Sequence, residues 1–275
     1  MAITRMKRLK LIALAKDRDA LLESLRHVGC VEVREPGEYL DDPGYAALLH
    51  RESADLASAK SGLTELQHAL DVLGQYAPVK KGLFTMRAQI GEAELLDSGA
   101  RQTALDKAAA INGHAKAIGQ LNARETRLRA DQAALAPWTA CGLPLEVKGT
   151  KYVEILLGTV PNTVEFDAMA GAVEAAAGAA NVRLLSSDKE LHYLEILVHR
   201  DCRQEALDAL RSYGFSFAQL KDLSGTASEN IRQLDGELGQ IEAERQKEIQ
   251  AIEAFRGTQD ELKTGLDRVQ QILAS

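Results

Sequence analysis

The sequence of 275 residues contains little cysteine and few aromatic side chains. Its three cysteines, Cys30, Cys141 and Cys202, are far apart, and no two of them form a Cys-x-x-Cys pair. This pattern indicates neither a disulfide framework nor a zinc knuckle. It is typical of buried thiols in a protein of the reducing cytosol. Aromatic residues make up only 4% of the chain, which favours long helices over an aromatic-rich β-sandwich.

Long apolar runs are also absent. No segment approaches the roughly 18 consecutive apolar residues of a membrane-spanning helix. The run from Leu11 to Ala15 follows a basic start but is too short for the core of a signal peptide, so we expect no export. Asp and Glu (40) outnumber Lys and Arg (33), and the net charge of −7 argues against a general nucleic-acid binder.

Motifs that hold nucleotides or metals are missing as well. No Gly-x-x-x-x-Gly-Lys-Ser/Thr loop occurs, and no Gly-x-Gly-x-x-Gly follows a predicted strand. His192 and His199 share one predicted strand, but their odd separation places them on opposite faces. We therefore expect no catalytic residue, no cofactor or nucleotide and no metal, and we predict that the chain is not an enzyme.

The first forty residues predict a βαβ unit. Arg8 to Ala15 and Cys30 to Val33 indicate short strands, and the helix between them is expected to start at Asp17 and stop at Gly29. Two strands and one helix bury too little surface to fold alone. We therefore interpret residues 1–40 as part of an incomplete N-terminal lobe, either mobile or paired with a second chain.

Residues 41–140 predict long outgoing helices. Their leucines follow in alternating steps of three and four, the heptad spacing of a coiled coil. Pro78 and Gly82 predict a break near residues 78–84, and a thinner seam resumes from about Leu95 and stops at Pro137. The expected packing positions are Leu49, Leu56, Leu63, Leu66, Leu70, Ile111, Ile118, Leu121, Leu128 and Leu135.

Residues 141–222 change to a mixed pattern of strands and helices. The order is βαββαβ, that of a ferredoxin-like sandwich, with strands expected at residues 152–160, 182–185, 192–198 and 215–220. Asn162, with Glu165 three positions on, and Asp201 are predicted to cap the two helices. Gly178 is predicted to end the first of them.

Residues 223–275 carry the strongest pattern in the chain. Thr226 and Glu229 form a capping-box signature, and one helix is expected from there to the end. Its natural partner is the helix arriving at Pro137, running antiparallel, although a parallel homodimer would compete for the same seam. The expected packing positions are Ile231, Leu234, Leu238, Ile241, Ile252, Phe255, Leu262, Leu266 and Val269, with Leu273 in the same register.

Seven segments together resemble one family. The sequence is similar to the cytoplasmic N-terminal region of the V-type (V/A-type) ATP synthase subunit I, counterpart of the eukaryotic V-ATPase subunit a. The resemblance extends over essentially the whole chain and follows the family's order. The segments that carry it are residues 1–14, 17–22, 29–33, 78–84, 135–138, 149–151 and 158–161. Residues 135–138 read Leu135-Ala136-Pro137-Trp138.

The resemblance implies an α+β fold with two α/β lobes joined by a long antiparallel helical hairpin. It implies a non-catalytic stator scaffold that links peripheral-stalk subunits E and G to a proton-translocating membrane sector. It also implies a location on the cytoplasmic face of the cell membrane. The family's membrane half, with its essential arginine, has no counterpart here, so we interpret the chain as a soluble fragment.

Two other readings remain open from the residues. One is a coil-lobe-coil tether of the chromosome-maintenance type, which the missing nucleotide motif and the acidic charge disfavour. The other is a small-molecule regulatory module, since βαββαβ folds often bind ligands at sheet edges, a reading that rests on fold analogy alone.

Overall fold

The structure, a computed structural model, describes residues 6–9, 11, 13–32, 54–79, 91, 97–220 and 223–274. The chain divides into two units, residues 1–55 and 56–275. The fold is α+β, with long helices and one small antiparallel sheet. None of the helices within the described ranges is long and apolar enough to cross a membrane.

The described residues between 6 and 32 form one α-helix of the first unit. A short 3-10 turn, Ala15–Asp17, leads into α1, Arg18–Val28, and Gly29 follows with a φ of 67°. The left-handed glycine ends the helix as the sequence predicts. The two predicted strands are wrong over the residues that are described there, which lie outside any strand. Apolar alternation alone does not make a strand, because a strand needs a hydrogen-bonded neighbour.

Four long helices lie within the described residues from 54 onward. They are α2 (Ala54–Tyr76), which begins at the end of the first unit, α3 (Ser98–Leu135), α6 (Ala227–Ala254) and α7 (Gln259–Ala274). The single helix predicted to run from Thr226 to the end is therefore wrong. A 3-10 turn, Arg256–Thr258, separates α6 from α7, and the Thr258 N–H and hydroxyl both donate to the Phe255 carbonyl. The heptad spacing of apolar residues continues across this turn. Because that spacing records only which side chains are apolar, it does not show where the helical backbone is interrupted.

Between α3 and α6 lies a four-stranded sheet with two helices. The strands are β1 (Val153–Pro161), β2 (Ala180–Ser187), β3 (Leu191–His199) and β4 (Ser216–Phe217), in the order β2-β3-β1-β4. All neighbouring strands are antiparallel. Helices α4 (Phe166–Ala177) and α5 (Arg203–Ser212) cover one face of the sheet. This is the βαββαβ order that the residues predict.

The core on the covered face follows strand alternation. Leu194, Ile196 and Val198 point from β3 toward the helices, whereas Tyr193 lies in a different cluster on the opposite face. β4 is shorter than predicted, at two residues. The Ala218 N–H still donates to the Leu157 carbonyl of β1 at 2.9 Å, and Ala218 and Leu220 pack against the cluster on the opposite face.

The predicted helix ends have mixed outcomes. The capping box of Thr226 and Glu229 is confirmed, and so is Gly178, which ends α4 with a φ of 67°. Asn162 caps no helix, because its side chain donates to the carbonyls of Asp188 and Lys189 and ties β1 to the β2–β3 turn. The predicted cap at Asp201 is also wrong. That residue lies inside a 3-10 turn, Arg200–Cys202, before α5 begins at Arg203.

Candidate interaction site

The long helices α2, α3, α6 and α7 form an arm that extends from the sheet. At the end of this arm remote from the sheet, α2, α3 and α7 pack together. Leu66 of α2 and Ala104 of α3 both lie against Gly265 of α7, where an added Cβ would be 2.6 Å from the Ala104 methyl. The Gln259 amide of α7 reaches the Ala77 carbonyl at 3.5 Å. We call this group the three-helix cluster. Its buried members on these helices are Leu66, Ala69, Val72, Leu73, Ala104, Ala108, Ile111, Ile118, Leu262 and Val269, and they are joined by Ala77 just after α2 and by Ile252 near the end of α6.

Beyond the three-helix cluster, α3 and α6 run side by side in opposite directions. From His114 to Gln132 along α3 the polar partners run from Glu248 back to Asp235 along α6, the trend of an antiparallel pair, although Glu125 reaches back to Arg245. The pairs are Arg124 with Glu237 (3.0 Å), Gln132 with Asp235 (2.5 Å), Glu125 with Arg245 (2.5 Å) and His114 with Glu248 (2.6 Å), and Lys107 joins Glu261 of α7 at 2.5 Å.

The best-connected of these pairs is centred on Arg245. Its guanidinium donates to Glu242, Glu125 and Asn122, and the hydrogen bonds to the two carboxylates raise the pKa of Arg245. The pKa of Glu125 is lowered, first by the hydrogen bond from Arg245 and then by that from Arg129. Ion pairs this close to the surface add little stability. They do set the register of α3 against α6.

The predicted packing positions separate into distinct groups. Leu49 lies outside the described residues, and Leu56 is 45% exposed on α2. Leu128 and Ile241 are buried along the α3–α6 pair, whose Leu121 and Leu238 are partly exposed. The positions within or packed against the three-helix cluster are Leu63, Leu66, Leu70, Ile111, Ile118, Ile252, Phe255, Leu262, Leu266 and Val269. Those at the sheet end are Leu135, Ile231 and Leu234.

At the end of the arm near the sheet, the helices contact the face of the sheet that α4 and α5 do not cover. Trp138 packs edge-on against Tyr193, with ring centroids 5.3 Å apart. The Ser186 hydroxyl donates to the Pro137 carbonyl at 2.8 Å, and the Leu145 N–H donates to the Gly225 carbonyl at 2.9 Å. We call this contact the junction. It joins the last turn of α3, the start of α6 and strands β2 and β3.

An ion pair with a buried carboxylate lies beside the junction. Glu195 of β3 is only 4% exposed, and its carboxylate accepts a hydrogen bond of 2.5 Å from Arg183, its cross-strand neighbour on β2. Cys141 is buried beside it, and burial raises the pKa of this thiol, with the hydrogen bond to Glu195 adding to the rise. The thiol is therefore held in its neutral form and serves as packing.

The turn between β2 and β3 is also held by charge. The Asp188 carboxylate accepts hydrogen bonds from the N–H groups of Glu190 and Leu191 and from the Tyr193 hydroxyl. The N–H of Glu190 is the main cause of a lowered pKa at Asp188, followed by the Tyr193 hydroxyl. The same bond to Asp188 raises the pKa of Tyr193. This network fixes the ring that contacts Trp138.

Sequence analysis missed the residues that build the junction. Arg183 and Glu195 lie in predicted neighbouring strands and carry opposite charges, so their pairing could have been found from the strand order. Gly265 and Arg268 are also buried, although neither occupies a heptad packing position. Helix α7 contacts two helices, and it therefore buries a wider stripe than a two-stranded seam. In the part of the chain that the structure describes, no group of three or more His, Cys, Asp or Glu residues could hold a metal ion.

Comparisons with known proteins confirm the resemblance found in the sequence. The chain is 23% identical over 271 residues to the A-type ATP synthase subunit I of Methanocaldococcus jannaschii, an alignment that covers 91% of this chain and 39% of that protein. The chain thus spans about two fifths of the length of this curated relative. No model of a known protein family matches the chain.

A solved structure has a similar fold. It is the crystal structure of the cytoplasmic N-terminal domain of subunit I, a homolog of subunit a, of V-ATPase. The superposition has a TM-score of 0.52 and 15% sequence identity, and it covers 94% of this chain and 83% of the other. At this identity the likeness concerns the fold.

Proposed function

We propose that this chain is the cytoplasmic arm of subunit I in a rotary ATPase or ATP synthase of the V/A type, where it acts as a non-catalytic stator scaffold. In such a motor the stationary half must be tied to the membrane sector, since otherwise torque would turn both halves. The arm would carry that load on the cytoplasmic face of the membrane. Proton translocation would belong to the part of the relative's length that this chain does not match.

The observation that carries the proposal is the way the helix pair is joined to the sheet. The antiparallel helices α3 and α6 meet the sheet at the junction, where Trp138 packs on Tyr193 and the Ser186 hydroxyl donates to the Pro137 carbonyl. The 38 residues of α3 give a length of about 57 Å at 1.5 Å per residue. Such a unit supports a role in transmitting force between two attachment points, because bending it requires breaking packed contacts at both ends.

The proposed domains follow this architecture. Residues 1–40 would be part of a membrane-proximal α/β lobe, residues 41–140 the outgoing helices, residues 141–222 the distal βαββαβ lobe, and residues 223–275 the returning helix. The distal lobe would bind the peripheral stalks formed by subunits E and G. Membrane-sector subunits of the same complex would be the remaining partners.

A binding experiment tests the partner. The chain is immobilised and titrated with a purified E–G heterodimer, with each of the two stalk polypeptides on its own as the control. We expect weak but saturable binding of the heterodimer, because contacts of this kind gain strength when several attachments act together in the assembled motor. We also expect no ATP hydrolysis and no nucleotide-dependent thermal shift. Strong nucleotide binding by calorimetry would favour the tether or the regulatory module instead.

A crosslinking experiment tests the scaffold against the homodimer alternative. Cysteines replace Gln132 and Asp235, whose side chains are hydrogen-bonded at 2.5 Å, and Cys30→Ser removes an exposed thiol. A short bifunctional reagent should crosslink this pair within one monomer at low protein concentration. The control pair, Gln132→Cys with Lys247→Cys, should not react, since Lys247 lies 12 residues or about 18 Å further along α6. Crosslinks formed only between chains would contradict the proposal.

A further inference from the structure

We propose that an exposed aromatic and cationic surface at one end of the distal sheet is a docking site for an acidic segment of a partner protein. The surface consists of Lys151, Tyr152, His199 and Arg200, and we call it the Tyr152 surface. It lies where β1 begins and β3 ends, since Val153 pairs with His199. Nothing in the junction or in the helix pair uses these side chains.

The backbone holds Tyr152 in a rigid turn. The Thr150 N–H donates to the Val153 carbonyl at 2.7 Å, and the Thr150 hydroxyl accepts from the N–H groups of Tyr152 and Val153. Gly149 has a φ of 133°, and a Cβ there would lie 2.1 Å from the Val153 carbonyl oxygen, so the turn requires glycine. The Arg200 N–H also donates to the Tyr152 carbonyl at 2.9 Å.

Tyr152 is nevertheless 60% exposed. Its ring stacks against His199 with centroids 6.4 Å apart and an interplanar angle of 13°, and the Lys151 ammonium lies 5.3 Å from the ring centroid. The Arg200 side chain donates through Nε to the Thr150 carbonyl at 3.0 Å and stays exposed. Because the turn already fixes the backbone of Tyr152, less conformational entropy is lost when its exposed ring binds a partner, which favours a role as an interface hot spot.

The charge of the surface indicates the chemistry of the partner. The chain carries a net charge of −7, yet Lys151 and Arg200 flank the exposed ring and would attract carboxylates. A protein segment with acidic residues around an apolar or aromatic side chain would complement both features.

Two neighbouring carboxylates argue against a phosphate ligand. Asp201 is exposed and lies 3.5 Å from the His199 ring nitrogen, and Glu154 pairs with Arg203 at 2.8 Å. A nucleic-acid backbone or an anionic lipid surface favours an uninterrupted cationic area. Here acidic side chains alternate with basic ones, an arrangement that suits the mixed charges of a protein surface.

The test rests on the proposed function, because its probe is the purified E–G heterodimer. The variants Tyr152→Ala and Lys151→Glu are compared with Lys189→Glu, the same charge reversal at the β2–β3 turn, which lies at the opposite end of the sheet. The nine residues of β3 place the two ends about 30 Å apart. Melting temperatures of all variants are measured first, and we expect them to match the original chain because these side chains are exposed.

We expect Tyr152→Ala to weaken binding of the heterodimer about 30-fold, as for a hot-spot residue, and Lys151→Glu about tenfold. Lys189→Glu and Tyr152→Phe should leave the affinity within about threefold, since the first lies elsewhere and the second keeps the ring. Equal weakening by both lysine reversals would reduce the effect to overall charge and overturn the inference.

Two further outcomes are distinguishable. Binding of the heterodimer that no variant of the Tyr152 surface weakens would overturn this inference while leaving the proposed function intact. No binding by the original chain would contradict both. The original chain and Lys151→Glu are also tested with phosphatidylglycerol vesicles and single-stranded DNA. The choice of a protein partner would be overturned if the original chain binds the vesicles or the DNA, and if Lys151→Glu abolishes that binding but does not change the affinity for the heterodimer.

Discussion

Replacing Arg183 by methionine should destabilise the junction strongly. The substitution keeps an unbranched side chain but leaves the Glu195 carboxylate without its cation, and Glu195 is only 4% exposed. Removing one partner of a buried ion pair costs about 3–5 kcal/mol. The Arg183 side chain is itself 51% exposed, so water can reach part of the vacated space. We therefore expect a loss of about 2 kcal/mol in the free energy of unfolding.

The protein contains its own reporter for this loss. Trp138 is the single tryptophan of the chain and packs on Tyr193 within the junction. Its fluorescence during urea unfolding therefore follows the junction. A change of about 2 kcal/mol corresponds to a factor of about 30 in the equilibrium constant for opening, which appears as a lower urea midpoint with an unchanged slope.

A double-mutant cycle separates the ion pair from simple packing. Arg183→Met with Glu195→Met should recover most of the lost stability, because neither charge is then left buried alone. The matched control is Arg211→Met, since Arg211 pairs with Asp208 at 2.9 Å where both side chains are exposed. It should cost less than about 0.5 kcal/mol. The reasoning is refuted if the losses from Arg183→Met and Arg211→Met are equal, or if the two junction substitutions are simply additive.

Two other predictions concern α7 and the β2–β3 turn. Gly265→Ala should lower the free energy of unfolding by about 1–3 kcal/mol, measured by thermal unfolding, because the new methyl would meet the Ala104 methyl at 2.6 Å. The control Gly236→Ala has open space around it and should raise the stability by up to about 1 kcal/mol. Equal effects of the two substitutions would contradict the close approach of α3 and α7. Tyr193→Phe should raise the pKa of Asp188 toward its ordinary value, measured by carboxyl NMR titration, because the Tyr193 hydroxyl is, after the Glu190 N–H, the next largest cause of its lowering. Since the folded-state pKa is lowered, the stability from this network is present above the unfolded-state pKa of about 4 and is lost as pH falls through the folded-state pKa. The difference in stability between the two proteins should therefore shrink in acid, and a pKa unmoved by the substitution would contradict the assigned hydrogen bond.

Local signals in the sequence were sufficient for several features of the fold. The α+β class follows from periodicity, since strands and helices between residues 143 and 220 alternate in distinct patterns. The caps at Thr226 and Gly178 follow from backbone chemistry that involves only a few neighbouring residues. The same locality explains the error at Asn162, whose side chain bonds to the turn between β2 and β3. A side chain that can cap a helix can equally bond to a distant turn, and the nearest acceptor decides.

Tertiary contacts decided what local signals leave open. A heptad pattern specifies an apolar stripe but not the number of helices that cover it, so burial of Gly265 and Arg268 depends on α7 meeting both α2 and α3. The apolar pattern likewise continues through residues 256–258 without interruption, and only the structure shows that the helix gives way to a 3-10 turn there. The pairing of Arg183 with Glu195 required the strand register, which aligns residues that are distant in sequence. The sequence by itself therefore determined the order of strands and helices between α3 and α6 and the capping box that begins α6. The structure alone decided which faces are covered, because burial is a property of partners and not of the segment that they cover.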